Sequence, residues 1–589
     1  MEESQFDVAI LGTGLVNSIT AAALSKAGYK VAHIDSNAYY GDEEASLSLE
    51  EVVKWADSRT SAPLTSRFQR ISRSANVPSQ SRQYSICLLP TIIPSVGPLI
   101  SSLVSSGVAK YSGFKLLESV SIYDSPGKVK SVPGSKEDIF KNKQISLIEK
   151  RRLMRFLTFA AGDFEDKKEL ECKADVPFLD FLRTTFSLSE EIASIITYAL
   201  AFCMSPNEPT LPTLVRLRKY LRSGGRYGPS PFLIGHYGGI GDIAQGFCRA
   251  SAVSGGVYIL GRKVTSISPF DPSKVAKTSQ KTEADSTDSN TAEGDTSKRA
   301  FKYSIDLEDF PDTLSCNLII STPSYISQDL ASSARHLPTP SRLSFIDFQS
   351  DVAAIARCIA IVDQALNLRT TETTSAPELE PETEVTDATG SAEDDPTQEP
   401  VPKREDNPVD TAVLVLPPSS VEGGSTTHAA TALVNGEGSL STPAGKWLVY
   451  FALPLPTIPD ESVSPETLLR PYLDALLSLA SSPPLTPLFT AFYLEVPKSA
   501  RQVTPDVQSA PAPSSSTTAA TNLDTYFVPP SLTAASLPDT PDQATYIAEA
   551  TFQEAVKALR SLAPSNDGDE EEPVVFWPSL PVEEDDDEW

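Results

Sequence analysis

Phe6-Asp7-Val8-Ala9-Ile10-Leu11-Gly12-Thr13-Gly14-Leu15-Val16-Asn17 sets a mostly apolar run directly before two glycines that flank one residue. Phe6 to Leu11 has the length and continuity of a strand buried on both faces, and Gly12-Thr13-Gly14 supplies a tight turn after it. From Leu15 to Ala27, Leu15, Ile19, Ala22 and Ala23 recur at helical spacing, and Gly28 ends the helix. Tyr29 to Asp35 reads as a second strand whose last residue is acidic, 21 positions beyond Gly14. Strand, glycine turn, helix and acid-ended strand make the opening unit of a dinucleotide fold, where the helix N-terminus seats a pyrophosphate and the acid takes a ribose. The fold class read from this unit is α/β, an FAD/NAD(P)-binding Rossmann-like domain.

The ligand does not follow from the fold. Asn17 stands where a third small residue lets helix and strand approach closely. Gly12, Gly14 and Asp35 are therefore read as vestigial, with no cofactor expected. A scaffold that never held a ligand, a bound flavin or nicotinamide, and an Asp35 that merely caps its strand all stay open at this point.

At 589 residues the chain is long enough for two domains with large cores. Four stretches, 274–299, 370–410, 417–443 and 501–524, are poor in large apolar residues and read as disordered acidic or Ser/Pro-rich insertions. The net charge of −28 is concentrated: residues 372–410 and 567–589 together hold −22 of it. Acidity thus belongs to an insertion and a tail that solvate, and nucleic acid is not an expected partner. Six scattered cysteines without a CxxC pair fit a reducing compartment. With an acidic first turn of chain and no long apolar run, no signal segment or membrane span is expected, and the cytosol is the expected location. No metal site is expected, because the four histidines, His33, His236, His336 and His428, are dispersed.

Two further stretches are more specific. Asp35-Ser36-Asn37-Ala38-Tyr39-Tyr40-Gly41-Asp42-Glu43-Glu44-Ala45-Ser46 and the run from Arg226-Tyr227-Gly228-Pro229 through Gly238-Gly239-Ile240-Gly241-Asp242 to Gln245-Gly246-Phe247-Cys248-Arg249 resemble the Rab escort protein and Rab GDP dissociation inhibitor superfamily. Weaker similarity covers Leu88 to Lys115, Glu149 to Phe159 and Ser251 to Leu260. The resemblance implies a GDI-like domain that does not use flavin, with an all-helical domain inserted in it. Expected boundaries are 1–110 for the first part of the dinucleotide domain, 111–223 for the helical domain, 224–565 for its continuation and 566–589 for an acidic tail. The long insertions, Phe156 to Phe159 with Cys248, and an extra helix over Tyr546 to Leu562 resemble the escort branch more than the inhibitors.

The resemblance also implies partners and residues. GDP-bound Rab GTPases would bind Tyr40, Arg82, Asp242, Gln245, Arg249, Val257 and Ile259, although Asp242 is shorter than the usual Glu, and Arg249, Val257 and Ile259 also suit an ordinary surface and a half-buried strand. Arg226, Tyr227 and Ser230 lie on a glycine- and proline-rich loop expected to hold the Rab tail. An apolar stretch near Pro94, with Leu99, Ile100 and Leu103, reads either as a tail groove or as a core helix. Phe159, Arg152 and Arg155 are expected to dock the αβ heterodimer of Rab geranylgeranyltransferase; Phe159 covered by its own domain is the alternative. The chain would be non-catalytic, monomeric outside the complex, shelter the geranylgeranyl lipid within 111–223, and touch membranes transiently on delivery. A recycling inhibitor and an FAD-dependent oxidoreductase are the rival functions.

Overall fold

The computed structural model describes residues 4–59, 66–132, 145–270, 301–322, 325, 334–344, 352–369, 409–482, 484–497, 523–533, 536–562 and 573–578. The opening unit forms as read: strand β1 (Gln5–Leu11), helix α1 (Leu15–Lys26) and strand β2 (Val31–Asp35). Beta1 pairs in parallel with β2 on one side and with the strand Leu314–Ser321 on the other. Val257–Leu260 extends the sheet beyond β2, also in parallel. Alternation splits β1 between two cores, with Val8 and Ile10 packed on the helical side and Ala9 and Leu11 on the other.

Helix α1 is buried nearly all round because it lies between two others. On one side is the helix Ile240–Val253, joined to it through Ser18 and Cys248 (3.2 Å) and through the Ser25–Ser251 hydroxyl pair (2.8 Å). On the other is the long helix Thr540–Leu562. That long helix begins six residues before the expected Tyr546, where the Asp539 carbonyl accepts the Gln543 N–H and the Asp539 carboxylate is held by Ser536 and Tyr220.

A second, eight-stranded sheet runs in the order Phe68–Arg73, Phe489–Glu495, Ala354–Val362, Trp447–Leu455, Ala430–Asn435, Thr411–Leu416, Ser119–Ser125, Lys128–Ser131. It corrects two expectations. Residues 417–443 are folded: Ala430–Asn435 is an inner strand of this sheet, and Ala430, Ala432, Leu433 and Val434 are buried. The stretch looked empty of core because an inner strand covered on both faces can be built from alanine and valine. The segment from 111 is not helical either. Phe114–Leu116, Ser119–Ser125 and Lys128–Ser131 are strands, and the inserted helices run from Leu147 to Ser223. Ser119–Ser125, in which serine alternates with Val120 and Ile122, pairs in parallel with Thr411–Leu416, a partner almost 300 positions away.

Residues 274–299, 370–408 and 501–522 lie outside the described residues, as does most of 566–589. The tail call is corrected at its centre. Phe576 packs on Phe552 (5.4 Å between centroids), and Trp577 stacks near Phe247 (5.9 Å) while its indole N–H donates to Ser102 (2.9 Å). An aromatic pair therefore pins 573–578 between the long helix, the helix Ile240–Val253 and the helix Pro98–Ser106. Leu99, Ile100 and Leu103 of the last are buried core, and the helix starts at Pro98 rather than near Pro94. Among the described residues no helix is long and apolar enough to cross a membrane, and no group of His, Cys, Asp and Glu is arranged to hold a metal ion.

Candidate functional site

Helix Ile240–Val253 buries Ile240, Ile243, Ala244, Phe247 and Cys248 and leaves Asp242, Gln245 and Arg249 facing outward. Their spacing, i, i+3 and i+7, keeps the three within one stripe of a 3.6-residue helix. Gly246 sets how close the neighbouring segment comes: a Cβ there would lie 2.8 Å from Val108. That approach brings Tyr111 alongside, with its hydroxyl donating to the Gly246 carbonyl (3.4 Å) and Arg249 over its ring at 4.8 Å. Tyr111 is 42% exposed, so the Arg249–Tyr111 pair is offered to solvent. Burial raises the Asp242 carboxyl above its ordinary range.

Tyr40 sits beside this helix on the loop after β2, its ring edge-on to Tyr258 at 5.7 Å. Tyr258 in turn lies tilted against His33, with ring centroids 5.0 Å apart. His33 Nε2 is 2.8 Å from the Gly12 carbonyl and Nδ1 is 3.2 Å from the Tyr258 hydroxyl. The carbonyl can only accept, so the ring is the Nε2–H tautomer and Nδ1 accepts from Tyr258. Burial pushes His33 down to about 4, against the pull of Gly12 and Asp35. A histidine held neutral in the fold and charged in the unfolded chain contributes stability above about pH 6.5 that is lost as pH falls toward 4. At full extent this is about 3 kcal/mol. The variant His33→Gln is expected to lose the part of the wild-type acid slope lying between those values; parallel urea midpoints for both proteins from pH 7 to 4 would refute it.

The sequence-read set is thus partly assembled. Tyr40, Asp242, Gln245 and Arg249 share the region around one helix. Arg82 is exposed on the turn Ser81–Gln83, which packs on the helix Leu49–Ser58, and its charge acts on Glu50 of that helix. Ile259 is corrected: it is 8% exposed in the core with Leu11 and Ile34, and Val257 packs against the same cluster. In a strand, alternate residues face oppositely, so the side chain turned toward Tyr40 is Tyr258. Tyr258 and Tyr111 were missed, and the only signal for Tyr258 was the alternation used to choose its neighbours.

Arg226 and Tyr227 are exposed, with the guanidinium 5.4 Å from the ring centre, and Ser230 closes the turn by accepting from Phe232 N–H (3.3 Å). Only the first half is loop, because Phe232–Gly235 is a strand between Ile93–Pro94 and Phe114–Leu116. On the helix Leu147–Ala161, Phe159 is half-buried against Phe164, Phe181 and Phe186 (5.2–6.2 Å). Arg155 lies 5.4 Å from the Phe186 ring and pairs with Glu169, and exposed Arg152 donates to the Ser187 carbonyl.

The dinucleotide seat is filled from within. Glu44 accepts the Leu15 N–H at 3.0 Å, at the start of α1. Asp35 accepts from Thr13 N–H (2.8 Å), the Thr13 hydroxyl (2.6 Å), Asn37 N–H (2.8 Å) and the Tyr325 hydroxyl (3.0 Å). Asn17 donates to the Leu11 and Gly12 carbonyls. A dinucleotide does not fit residues so engaged. Burial pushes Glu44 up to about 7, with Arg67 and the Leu15 N–H pulling it back.

The GDP dissociation inhibitor family description matches residues 1–301, just over half of the 589. The chain belongs to the GDP dissociation inhibitor family. Within this GDI family the similar curated proteins include the Rab proteins geranylgeranyltransferase component A of Candida albicans, 37% identical over 277 residues, covering 46% of this chain and 43% of that protein. The protein of the same name from Drosophila melanogaster is 36% identical over 282 residues, covering 45% and 54%. The match spans about half the length of these relatives. Among solved structures, Rab GDI from Plasmodium falciparum superposes with a TM-score of 0.56 over 93% of this chain and 97% of that one, at 18% identity. This likeness shows that the GDI fold extends well past residue 301.

Proposed function

We propose that the chain is a Rab escort protein, the accessory component A of Rab geranylgeranyltransferase. It binds GDP-bound Rab, presents it for prenylation, and carries the lipidated product through the cytosol to membranes. The observation that carries this reading is the outward stripe of Asp242, Gln245 and Arg249 beside Tyr40 and Tyr111, in a family whose similar members include proteins named component A. Donors, acceptors and aromatic edges of this kind pair with main-chain and charged groups of switch loops, which are ordered differently in the two nucleotide states. The chain's own role is binding and positioning; the prenyl transfer belongs to the αβ heterodimer.

The lipid explains the need for a carrier. A geranylgeranyl chain of about twenty carbons, at roughly 0.8 kcal/mol per buried CH₂, costs on the order of 10 kcal/mol to expose. The Leu147–Ser223 helices shelter it, and Arg226, Tyr227 and Ser230 hold the polypeptide leading to it. Reconstitution with transferase heterodimer, geranylgeranyl diphosphate and GDP-loaded Rab tests the proposal. Lipid incorporation that requires this chain supports it; tight Rab binding without incorporation would make the chain a recycling inhibitor instead.

Transferase docking is assigned to Phe159, Arg152 and Arg155. Because Phe159 also packs on three rings of its own domain, Phe159→Ala is expected to lower thermal stability as well as transferase affinity. Arg155→Glu, at an exposed position, separates the two: affinity falls about tenfold with little change in stability. Unchanged affinity in titrations of Arg155→Glu with the heterodimer would remove this surface from the docking site.

A further inference from the structure

The N-terminus of α1 is built to receive an anion. Gly12 takes a left-handed turn (φ +92°), Gly14 offers no side-chain cap, and α1 has no acidic residue in its first turn. Four N–H groups and the positive end of a helix dipole normally attract a phosphate here. Glu44 arrives from 29 residues away instead. A Cβ on Gly14 would lie 2.7 Å from its Oε2, so the carboxyl fills the gap that the glycine leaves.

The same carboxyl ends a chain of ties around Tyr40. Asn37 N–H and its side-chain amide donate to Asp35 (2.8 and 2.9 Å). Gly41 N–H donates to the Thr13 hydroxyl (2.9 Å), which itself donates to Asp35. Glu44 then reaches Leu15, and Ala45 and Ser46 pass so close to Gly241 that a Cβ there would sit 2.3 Å from Ser46 N. Tyr40 is thereby held between the glycine turn of the old nucleotide seat and the first turn of the helix that carries Asp242. A cavity of about 90 Å³ adjoins the carboxyl, lined by Gly14, Asn17, Glu44, Arg67, Thr322 and Pro529.

We propose that Glu44 is an internal substitute for a ligand phosphate, a positioning residue whose contact with the α1 N-terminus fixes the loop carrying Tyr40 for partner binding. In either protonation state a carboxyl oxygen accepts the Leu15 N–H. The partner-binding half of the proposal rests on the Rab-binding reading above; the anion-seat half does not.

The test uses the full chain with Glu44→Ala and Gly14→Ala. Gly14 has φ −60°, which any residue adopts, so its new methyl displaces the carboxyl without backbone strain. Pyrophosphate, against chloride at matched ionic strength, is expected to raise the melting temperature of Glu44→Ala saturably and leave the wild type unmoved. Both variants are expected to bind GDP-loaded Rab about tenfold more weakly, with pyrophosphate restoring Glu44→Ala but not Gly14→Ala, whose displaced carboxyl still obstructs the seat. Absence of a pyrophosphate effect on folded Glu44→Ala would overturn the anion seat. Wild-type Rab affinity in Gly14→Ala would overturn the positioning role, and this arm stands even where Glu44→Ala does not fold. A wild-type chain that does not bind Rab at all would sink the functional reading and leave the pyrophosphate result to stand on its own.

Discussion

Glu495→Ala is expected to destabilise the fold by about 3–5 kcal/mol, the cost typical of breaking a buried ion pair by removing one partner. Glu495 is 3% exposed and sits between two arginines. It accepts from Arg67 Nη2 (2.7 Å) and Nε (3.0 Å) through one oxygen and from Arg357 Nε (2.5 Å) through the other. Burial alone would raise this carboxyl, yet Arg357 and Arg67 hold it below the ordinary range. An acid so depressed lends stability that is present above its unfolded pKa and lost as pH falls through the folded one. Truncation leaves Arg357 uncompensated, while Arg67 keeps Glu43 (3.1 Å). Urea midpoints should show the loss, and Glu495→Gln should show much of it, because the amide keeps the shape without the charge. A concerted change of Glu495 and Arg357 to Leu and Met, which leaves Arg67 paired with Glu43, should recover most of it, since the pairing offsets its own desolvation poorly. Glu495→Ala with an unchanged midpoint would mean that water reaches both guanidiniums.

That network was not legible in the sequence, and the reason is topological. Arg357 and Glu495 come from neighbouring strands of one sheet and Arg67 from the residue just before a third, adjacent only after residues 68–73, 354–362 and 489–495 have paired. What local pattern encoded was the β1–α1–β2 unit; Asp242, Gln245 and Arg249 were implied by the resemblance, and the structure sets them in one stripe of a helix. Errors fell where a local pattern was weak and a distant partner decided. Ala430–Asn435 was taken for an insertion because its alanines signal burial only once strands flank it on both sides. Phe576 and Trp577 were submerged in an acidic tail whose charge dominated the reading, although two adjacent aromatics are an anchor wherever a groove can receive them. Val257 and Ile259 suited a half-buried strand, but which face of that strand met solvent depended on the core beyond β2.

This last point yields the largest expected effect on partner binding. On the Rab-binding function proposed above, Tyr40→Ala is expected to weaken binding of GDP-loaded Rab thirtyfold or more, about 2 kcal/mol or above, the range of an aromatic hot spot. Its ring leans edge-on against Tyr258, which is itself fixed through His33 to the Gly12 carbonyl, so little rotamer freedom remains to be lost when a partner arrives. Arg249→Ala should cost less, because the Arg249–Tyr111 pair lies open to water in the free chain and part of its attraction is already screened. Ile259→Ala provides the opposing control. Its side chain lies in the core with Leu11 and Ile34, so it should lower stability by about 2–4 kcal/mol. At a temperature where that variant stays folded, its Rab affinity should remain within a few-fold of wild type. Calorimetric titration of the three variants separates a binding surface from the core beneath it. The platform is misassigned if Tyr40→Ala binds like wild type while Ile259→Ala, still folded, does not bind.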